Sequence, residues 1–106
     1  MKYAVMNWMI RPDLVMTSKD ALKALIEHTA YMKGLEDAGK VVIAGGFMEG
    51  SGGMDLLEVD TLAEAMEISK NDPLVKNDLI RQDIKAWSTD LEARQKMFAN
   101  MLDGLG

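Results

Sequence analysis

The spacing of apolar positions along the chain predicts alternating strands and helices. Residues 2–11 (KYAVMNWMIR) are β-prone and apolar on both faces, which predicts a central strand covered on both sides. A helix of about 20 residues follows Thr17 and Ser18, which can cap it, and Gly39 is a typical helix stop. One predicted buried stripe of this helix contains Leu22, Leu25, Ile26, Thr29, Met32 and Leu35.

The middle of the chain predicts a hairpin and a second helix. VVIAGGF at 41–47 is typical of a buried strand, EGSGG at 49–53 of a flexible turn, and MDLLEVD at 54–60 of a strand that pairs with the first. Thr61 to Glu64 form a capping box that opens a short helix. That helix should end near Asn71, because Pro73 disfavours helical geometry at the residue before it.

The last third predicts one more strand and a terminal helix. LIRQDIKAW at 79–87 fits the strand, and a second capping box at 89–92 starts a helix to about residue 102. The order βαββαβ predicts a single α+β domain over 1–106, with a ferredoxin-like core at about 2–87 and a C-terminal helix at about 89–102. Its four-stranded antiparallel sheet should carry two helices on one face.

A sheet with helices on one face leaves its other face bare. Apolar residues on the first strand, Trp8 or its neighbours, then need a cover. A second copy of the chain is the simplest cover. The sequence therefore predicts a homodimer, joined sheet to sheet or through the terminal helix.

Composition narrows the classes of function. The net charge of -5 and the scattered lysines and arginines argue against a nucleic-acid partner. The chain has no cysteine, which excludes disulfides and a cysteine nucleophile and suits the cytoplasm. No apolar run is long enough for a signal peptide or a membrane span, so we expect no membrane partner.

Metal and phosphate sites are poorly supported by the sequence. One histidine and no cysteine cannot build a typical zinc site, and no EF-hand spacing occurs, so we expect no metal and no cofactor. The glycines at 45–53 lack the lysine and the following helix of a phosphate loop. The pair Gly45-Gly46, at a strand end, can instead let a ligand approach closely.

His28 is the only histidine of the chain, and histidine is the side chain most naturally able to move a proton in a cofactor-free enzyme at neutral pH. It lies along the apolar stripe of the first helix, with Tyr31 about one turn later. A histidine at such a position is more often a hydrogen-bonded structural residue than a catalyst. Asp72, at the end of the second helix, could meet it, because both helices should cover the same sheet face. An aspartate on one ring nitrogen fixes the tautomer and raises the basicity of the other.

These residues stand in an order that resembles the YCII-related proteins. The pattern is His28-x-x-Tyr31-x-x-x-Leu35-x-x-x-Gly39, then Ala44-Gly45-Gly46, then Asp72-Pro73 and a closing Trp87. The resemblance covers residues 2–87 and implies a dimeric α+β barrel type of fold. It also implies that His28 is a general acid or base and Asp72 its orienting partner. Many relatives have an arginine a few residues before the histidine, where this chain has Leu25 and Ile26.

Three functions remain open at the level of sequence. The first is a cofactor-free enzyme that uses His28 and Asp72 to transfer protons in an elimination, isomerisation or tautomerisation of a small cyclic or aromatic substrate. Substrate-binding residues would be Tyr31, Trp8, Gly45, Gly46 and Phe47. The second is a non-catalytic ligand-binding or regulatory module that keeps the pocket. The third is a small oxygenase of the same fold, whose haem form would be coloured.

Overall fold

The computed structural model describes residues 2–14 and 16–106, and they form one antiparallel sheet with helices. The elements in chain order are β1 Tyr3–Ile10, α1 Lys19–Asp37, β2 Val41–Gly46, β3 Gly52–Glu58, α2 Leu62–Lys70, α3 Pro73–Lys76, β4 Ile80–Trp87 and α4 Leu91–Gly104. The strand order is β2-β3-β1-β4, with every neighbouring pair antiparallel. This confirms the predicted α+β class and its ferredoxin-like order.

Side-chain caps account for most of the helix starts. Ser18 Oγ accepts a hydrogen bond from the backbone N–H of Ala21, and Thr61 Oγ1 accepts one from that of Glu64. The terminal helix differs from the expectation, because Asp90 caps it through the N–H of Ala93 and the helix continues to Gly104. Capping therefore located these starts to within one or two residues.

A one-turn helix that the sequence analysis missed follows α2. Asp72 caps α3 by accepting a hydrogen bond from the N–H of Leu74, and Pro73 occupies the first helical position. Proline there is favourable, because its fixed φ suits a helix and its missing N–H would have had no helical partner. The Asp-Pro pair thus ends one helix and starts the next.

The core lies between the sheet and α1 to α3, in two clusters. One contains Ala4, Met6, Met32, Val41, Leu57, Val59 and Ala65, and the other contains Trp8, Ala24, Leu74 and Ile80. Alternation along β1 sends its even-numbered side chains towards the helices. Trp8 therefore faces the helix layer, not the open side of the sheet.

The buried stripe of α1 is rotated from the predicted one. Its fully buried residues are Ala21, Ala24, His28 and Met32. Leu22 and Ile26, which were expected in the stripe, are 46% and 71% exposed. Ala24 packs with Trp8 of β1 and Ile80 of β4, so a small residue occupies the buried side of α1 where larger apolar residues were expected.

The glycines expected in a flexible turn partly belong to β3. Gly52 pairs with Met9 and Gly53 with Trp8, so the strand starts two residues earlier than predicted. A Cβ at Gly53 would lie 2.5 Å from the Trp8 ring, closer than real Cβ contacts. Glycine is needed there because the indole packs directly over the β3 backbone.

Two apolar surfaces have no cover within the described chain. The open face of the sheet carries Met9, Ile43 and Met54, each about half exposed or more. The helix α4 has no buried residue. It makes the molecule long, with principal extents of 59 × 31 × 23 Å.

Candidate functional site

His28 and Asp72 form a buried hydrogen-bonded pair between α1 and the start of α3. His28 Nδ1 lies 2.8 Å from Asp72 Oδ1 and 3.0 Å from Asp72 Oδ2. The residues are 7% and 0% exposed. The two helices thus bring together side chains that are 44 positions apart in the sequence.

The carboxylate of Asp72 is held in place by its second hydrogen bond. Its Oδ1 also accepts the backbone N–H of Leu74 at 2.9 Å, as the cap of α3. A carboxylate fixed by the backbone in this way orients the imidazole, because Nδ1–H must point at it. Nδ1 is therefore the ring nitrogen that is occupied by the hydrogen bond to Asp72.

The other ring nitrogen, Nε2, has no hydrogen-bond partner among residues 2–14 and 16–106. The imidazole borders a cavity, and Trp8 packs against it edge-to-face with ring centroids 5.2 Å apart. With Nδ1–H donated to Asp72, a neutral ring presents an acceptor at Nε2, and a protonated ring presents a donor. This arrangement can take or give a proton.

The cavity beside His28 has a volume of about 300 Å³. Its α1 wall combines His28 and Met32 with Lys33 and Glu36 further along the helix. The opposite wall is the sheet, where small residues (Ala44, Gly45 and Gly46) leave the space open. The volume falls at the lower end of the range for ligand sites, which suits a single small ring.

The predicted ligand-binding residues divide into two groups. Trp8, Gly45 and Gly46 line the cavity together with His28. Tyr31 and Phe47 are not among the residues that line it. The Tyr31 hydroxyl donates a hydrogen bond to the carbonyl oxygen of Ile68 at 2.8 Å, which ties α1 to α2. Phe47 follows the end of β2 and is 51% exposed.

Tyr31 remains electrostatically linked to the pair although it points elsewhere. Burial raises the pKa of Tyr31, and the negative charge of Asp72 raises it further. The phenol therefore keeps its proton and donates a hydrogen bond to α2. The role of Tyr31 that the structure shows is to join α1 to α2.

Asp55 is a cavity residue that the sequence analysis missed. It lies on β3, 1% exposed, and lines the same cavity as His28. Burial raises the pKa of Asp55 to about 6, and the negative charge of Asp72 adds to the rise. The charge of His28 and the Trp8 indole, as a hydrogen-bond donor towards the carboxylate, lower the pKa in part. The sequence held a signal, because a period of two places Asp55 on the same strand face as Leu57 and Val59.

The described residues contain no group of three or more histidine, cysteine, aspartate or glutamate side chains that could hold a metal ion. Over the same ranges, no helix has both the length and the apolar character needed to cross a membrane.

The fold and the pair define a small ferredoxin-like domain with a buried histidine–aspartate pair at the edge of a cavity. The profile of the YCII-related domain matches residues 1–88. The chain therefore belongs to the YCII-related family, which confirms the resemblance described above. No curated protein sequence matches this chain.

Two solved structures match this chain to different extents. One is 5-chloro-2-hydroxyhydroquinone dehydrochlorinase (TftG) from Burkholderia phenoliruptrix, in complex with 2,5-dihydroxybenzoquinone. It is 18% identical, with a TM-score of 0.66 over 81% of this chain and 93% of that one. The other is protein SP2199 from Streptococcus pneumoniae. It is 17% identical, with a TM-score of 0.48 over 92% of this chain and 98% of that one.

Proposed function

We propose that this protein is a cofactor-free enzyme in which His28 transfers a proton at Nε2 while Asp72 orients and stabilises its ring. The observation that carries the proposal is the buried contact of 2.8 Å between His28 Nδ1 and Asp72 at the edge of a cavity. A positioned acid or base of this kind typically contributes about 10²–10⁴-fold in rate. The absence of cysteine suits the reducing cytoplasm, where we propose that the reaction takes place.

The size and lining of the cavity support a small cyclic or aromatic substrate. A volume of about 300 Å³ between Trp8 and Met32 fits one cyclic or aromatic ring. Proton transfer alone supports tautomerisation, isomerisation or elimination. In an elimination, the substrate proton moves to Nε2 and the leaving group departs with its bonding electrons. The dehydrochlorinase of similar fold makes loss of hydrogen chloride from a hydroxylated ring the first reaction to test.

The test compares the wild-type protein with His28→Gln and Asp72→Asn. Chloride release from 5-chloro-2-hydroxyhydroquinone and exchange of the ring hydrogens of 2,5-dihydroxybenzoquinone in deuterated water are the two assays. We expect each variant to lose about 10²–10⁴-fold in rate, since one lacks the base and the other its oriented partner.

Asp90→Asn is the matched control. Asp90 also caps a helix, through the N–H of Ala93, but it has no histidine partner. We expect this variant to keep the wild-type rate. Turnover that persists in His28→Gln would rule out the mechanism. A wild-type protein that binds the quinone without exchange or chloride release would instead be a non-catalytic ligand-binding module.

A further inference from the structure

Two polar atoms beside the cavity are buried without hydrogen-bond partners. Asp55 Oδ2 and Trp8 Nε1 both lack a partner within residues 2–14 and 16–106. Leaving such atoms unpaired costs free energy, so buried polar groups in native proteins are nearly always satisfied by protein, water or ligand. One atom is an acceptor and the other a donor, and both belong to residues that line the cavity.

The sheet register makes the two side chains neighbours. Met6 pairs with Asp55 and Trp8 pairs with Gly53, so Trp8 and Asp55 are diagonal neighbours on the same sheet face. The indole is held over Gly53, where a Cβ would meet it at 2.5 Å. The backbone of β3 thus leaves room for the ring, and the indole N–H lies close enough to the Asp55 carboxylate to lower its pKa, although the two groups make no hydrogen bond of normal geometry.

A donor next to an acceptor is complementary to a hydroxyl group, which can accept one hydrogen bond and donate another. We propose that Trp8 and Asp55 form a hydroxyl-binding subsite, in which Trp8 Nε1–H donates to the oxygen of a ligand hydroxyl and that hydroxyl donates to Asp55. The ligand class is a hydroxylated ring. The subsite rests on the proposed function in one respect only, namely that this ring is the one from which His28 moves a proton.

His28 and the Trp8–Asp55 subsite lie on different walls of the cavity and would contact different parts of a ligand. His28 offers Nε2 from the α1 wall, whereas Asp55 belongs to the sheet. A ring held at one hydroxyl by the sheet presents other atoms to the helix wall. The subsite would therefore select hydroxylated rings over bare rings and would fix the orientation of the ring before proton transfer.

The experiment uses the indole N–H of Trp8 as a reporter. Trp87→Phe leaves Trp8 as the only tryptophan, so nuclear magnetic resonance of a ¹⁵N-labelled protein shows a single indole signal. The protein is titrated with hydroquinone, a phenol that stays un-ionised over roughly pH 5–8 as tyrosine does. Benzene, which has the ring without hydroxyl groups, is the control ligand. The variants Asp55→Asn and Asp55→Leu, made in the same background, are titrated in parallel.

We expect hydroquinone, but not benzene, to move the indole signal downfield. Asp55→Leu should weaken hydroquinone binding about ten- to a hundredfold and leave benzene binding little changed, as loss of a hydrogen bond to a charged acceptor requires. Asp55→Asn keeps an acceptor without the charge. Its affinity for hydroquinone should therefore lie between those of the parent protein and of Asp55→Leu. The near-isosteric Asp55→Asn keeps the test valid if the leucine variant does not fold.

Three results would overturn the subsite: an indole signal that hydroquinone leaves unmoved, equal losses for both ligands in Asp55→Leu, or unchanged hydroquinone affinity in both variants. The proposed function is tested separately, by turnover and not by binding. His28→Gln should keep hydroquinone binding while it loses turnover. A wild-type protein that shows the indole shift without turnover would keep the subsite and lose the enzymatic proposal.

Discussion

Asp72 and Asp55 are both buried carboxylates, but they differ in whether their oxygens have hydrogen-bond partners. Asp72 accepts hydrogen bonds from His28 and from the N–H of Leu74. Asp55 has an oxygen without a partner in the described chain. A fully satisfied buried carboxylate supports the fold, whereas an unsatisfied one weakens it. This difference is why we propose Asp72 as the positioning residue and Asp55 as the residue that binds a ligand.

The cost of burying Asp55 predicts how stability depends on pH. The pKa of Asp55 rises from 3.8 to about 6 on folding, mainly because burial disfavours the charged form. Between these values the folded protein binds more protons than the unfolded chain, so Asp55 favours folding as the pH falls. A shift of about two pKa units corresponds to about 3 kcal/mol. At neutral pH, the buried charge of Asp55 therefore lowers the free energy of unfolding by about this amount.

The measurement is urea unfolding of the wild type and of Asp55→Asn at several pH values. We expect the stability of the asparagine variant, relative to wild type, to increase by about 2.5 kcal/mol between about pH 4 and about pH 7. Asp103→Asn, at an exposed position of α4, serves as the control substitution. A relative stability of Asp55→Asn that stays constant with pH would show that burial does not perturb this carboxyl.

At the level of elements, the glycines of the chain differ in what they contribute. Gly53 in β3 lies under the Trp8 ring and beside the carbonyl oxygen of Gly45, so a side chain has no room there. Gly34, within α1, has no atom within 4 Å of a Cβ built on it. Gly53 makes room for the Trp8 ring, whereas Gly34 only weakens a helix.

Two alanine substitutions should therefore act in opposite directions. Gly53→Ala should lower the free energy of unfolding by at least about 1–3 kcal/mol, because the indole or the β2 backbone must move. Gly34→Ala should raise it by about 0.5–1 kcal/mol, since alanine has less backbone entropy to lose in a helix. Thermal unfolding followed by circular dichroism measures both. Equal effects of the two substitutions would contradict the packing described here.

The periodicity of apolar positions was enough to predict every element except the one-turn helix α3, and the fold class followed from that order. Local boundaries were harder, because they depend on tertiary contacts. Gly52 and Gly53 are typical of a turn, yet pairing with β1 makes them strand residues. The buried stripe of α1 was only partly predicted, because large apolar side chains outweighed Ala21 and Ala24, which are the small residues that are buried. The histidine–aspartate contact was a hypothesis about packing, and Asp55 was overlooked because it stands alone among apolar neighbours.

The molecule as a whole leaves one face of its sheet and one helix without cover. Ile43 on the open face is 64% exposed. An apolar stripe of α4 includes Phe98 and Leu102 and continues to Leu105, which caps the helix C-terminus. These residues are 52%, 70% and 88% exposed. A 14-residue helix is marginal in water without packing, because nucleation is costly. Some surface must stabilise α4, and the open sheet face is a matching apolar surface on every copy of the chain.

We therefore expect a homodimer, in which a second copy covers the open sheet face, the stripe of α4 or both. Sedimentation equilibrium at micromolar concentration should give twice the chain mass. Ile43→Glu tests the sheet face, Phe98→Glu tests the stripe, and Asn100→Glu on α4 is a matched control outside the apolar stripe. A charge in an apolar interface has no compensating partner, so the variant in the true contact should sediment as a monomer. A wild-type protein that sediments with the mass of one chain would refute the dimer, and dissociation by one variant alone would identify the surface that forms it.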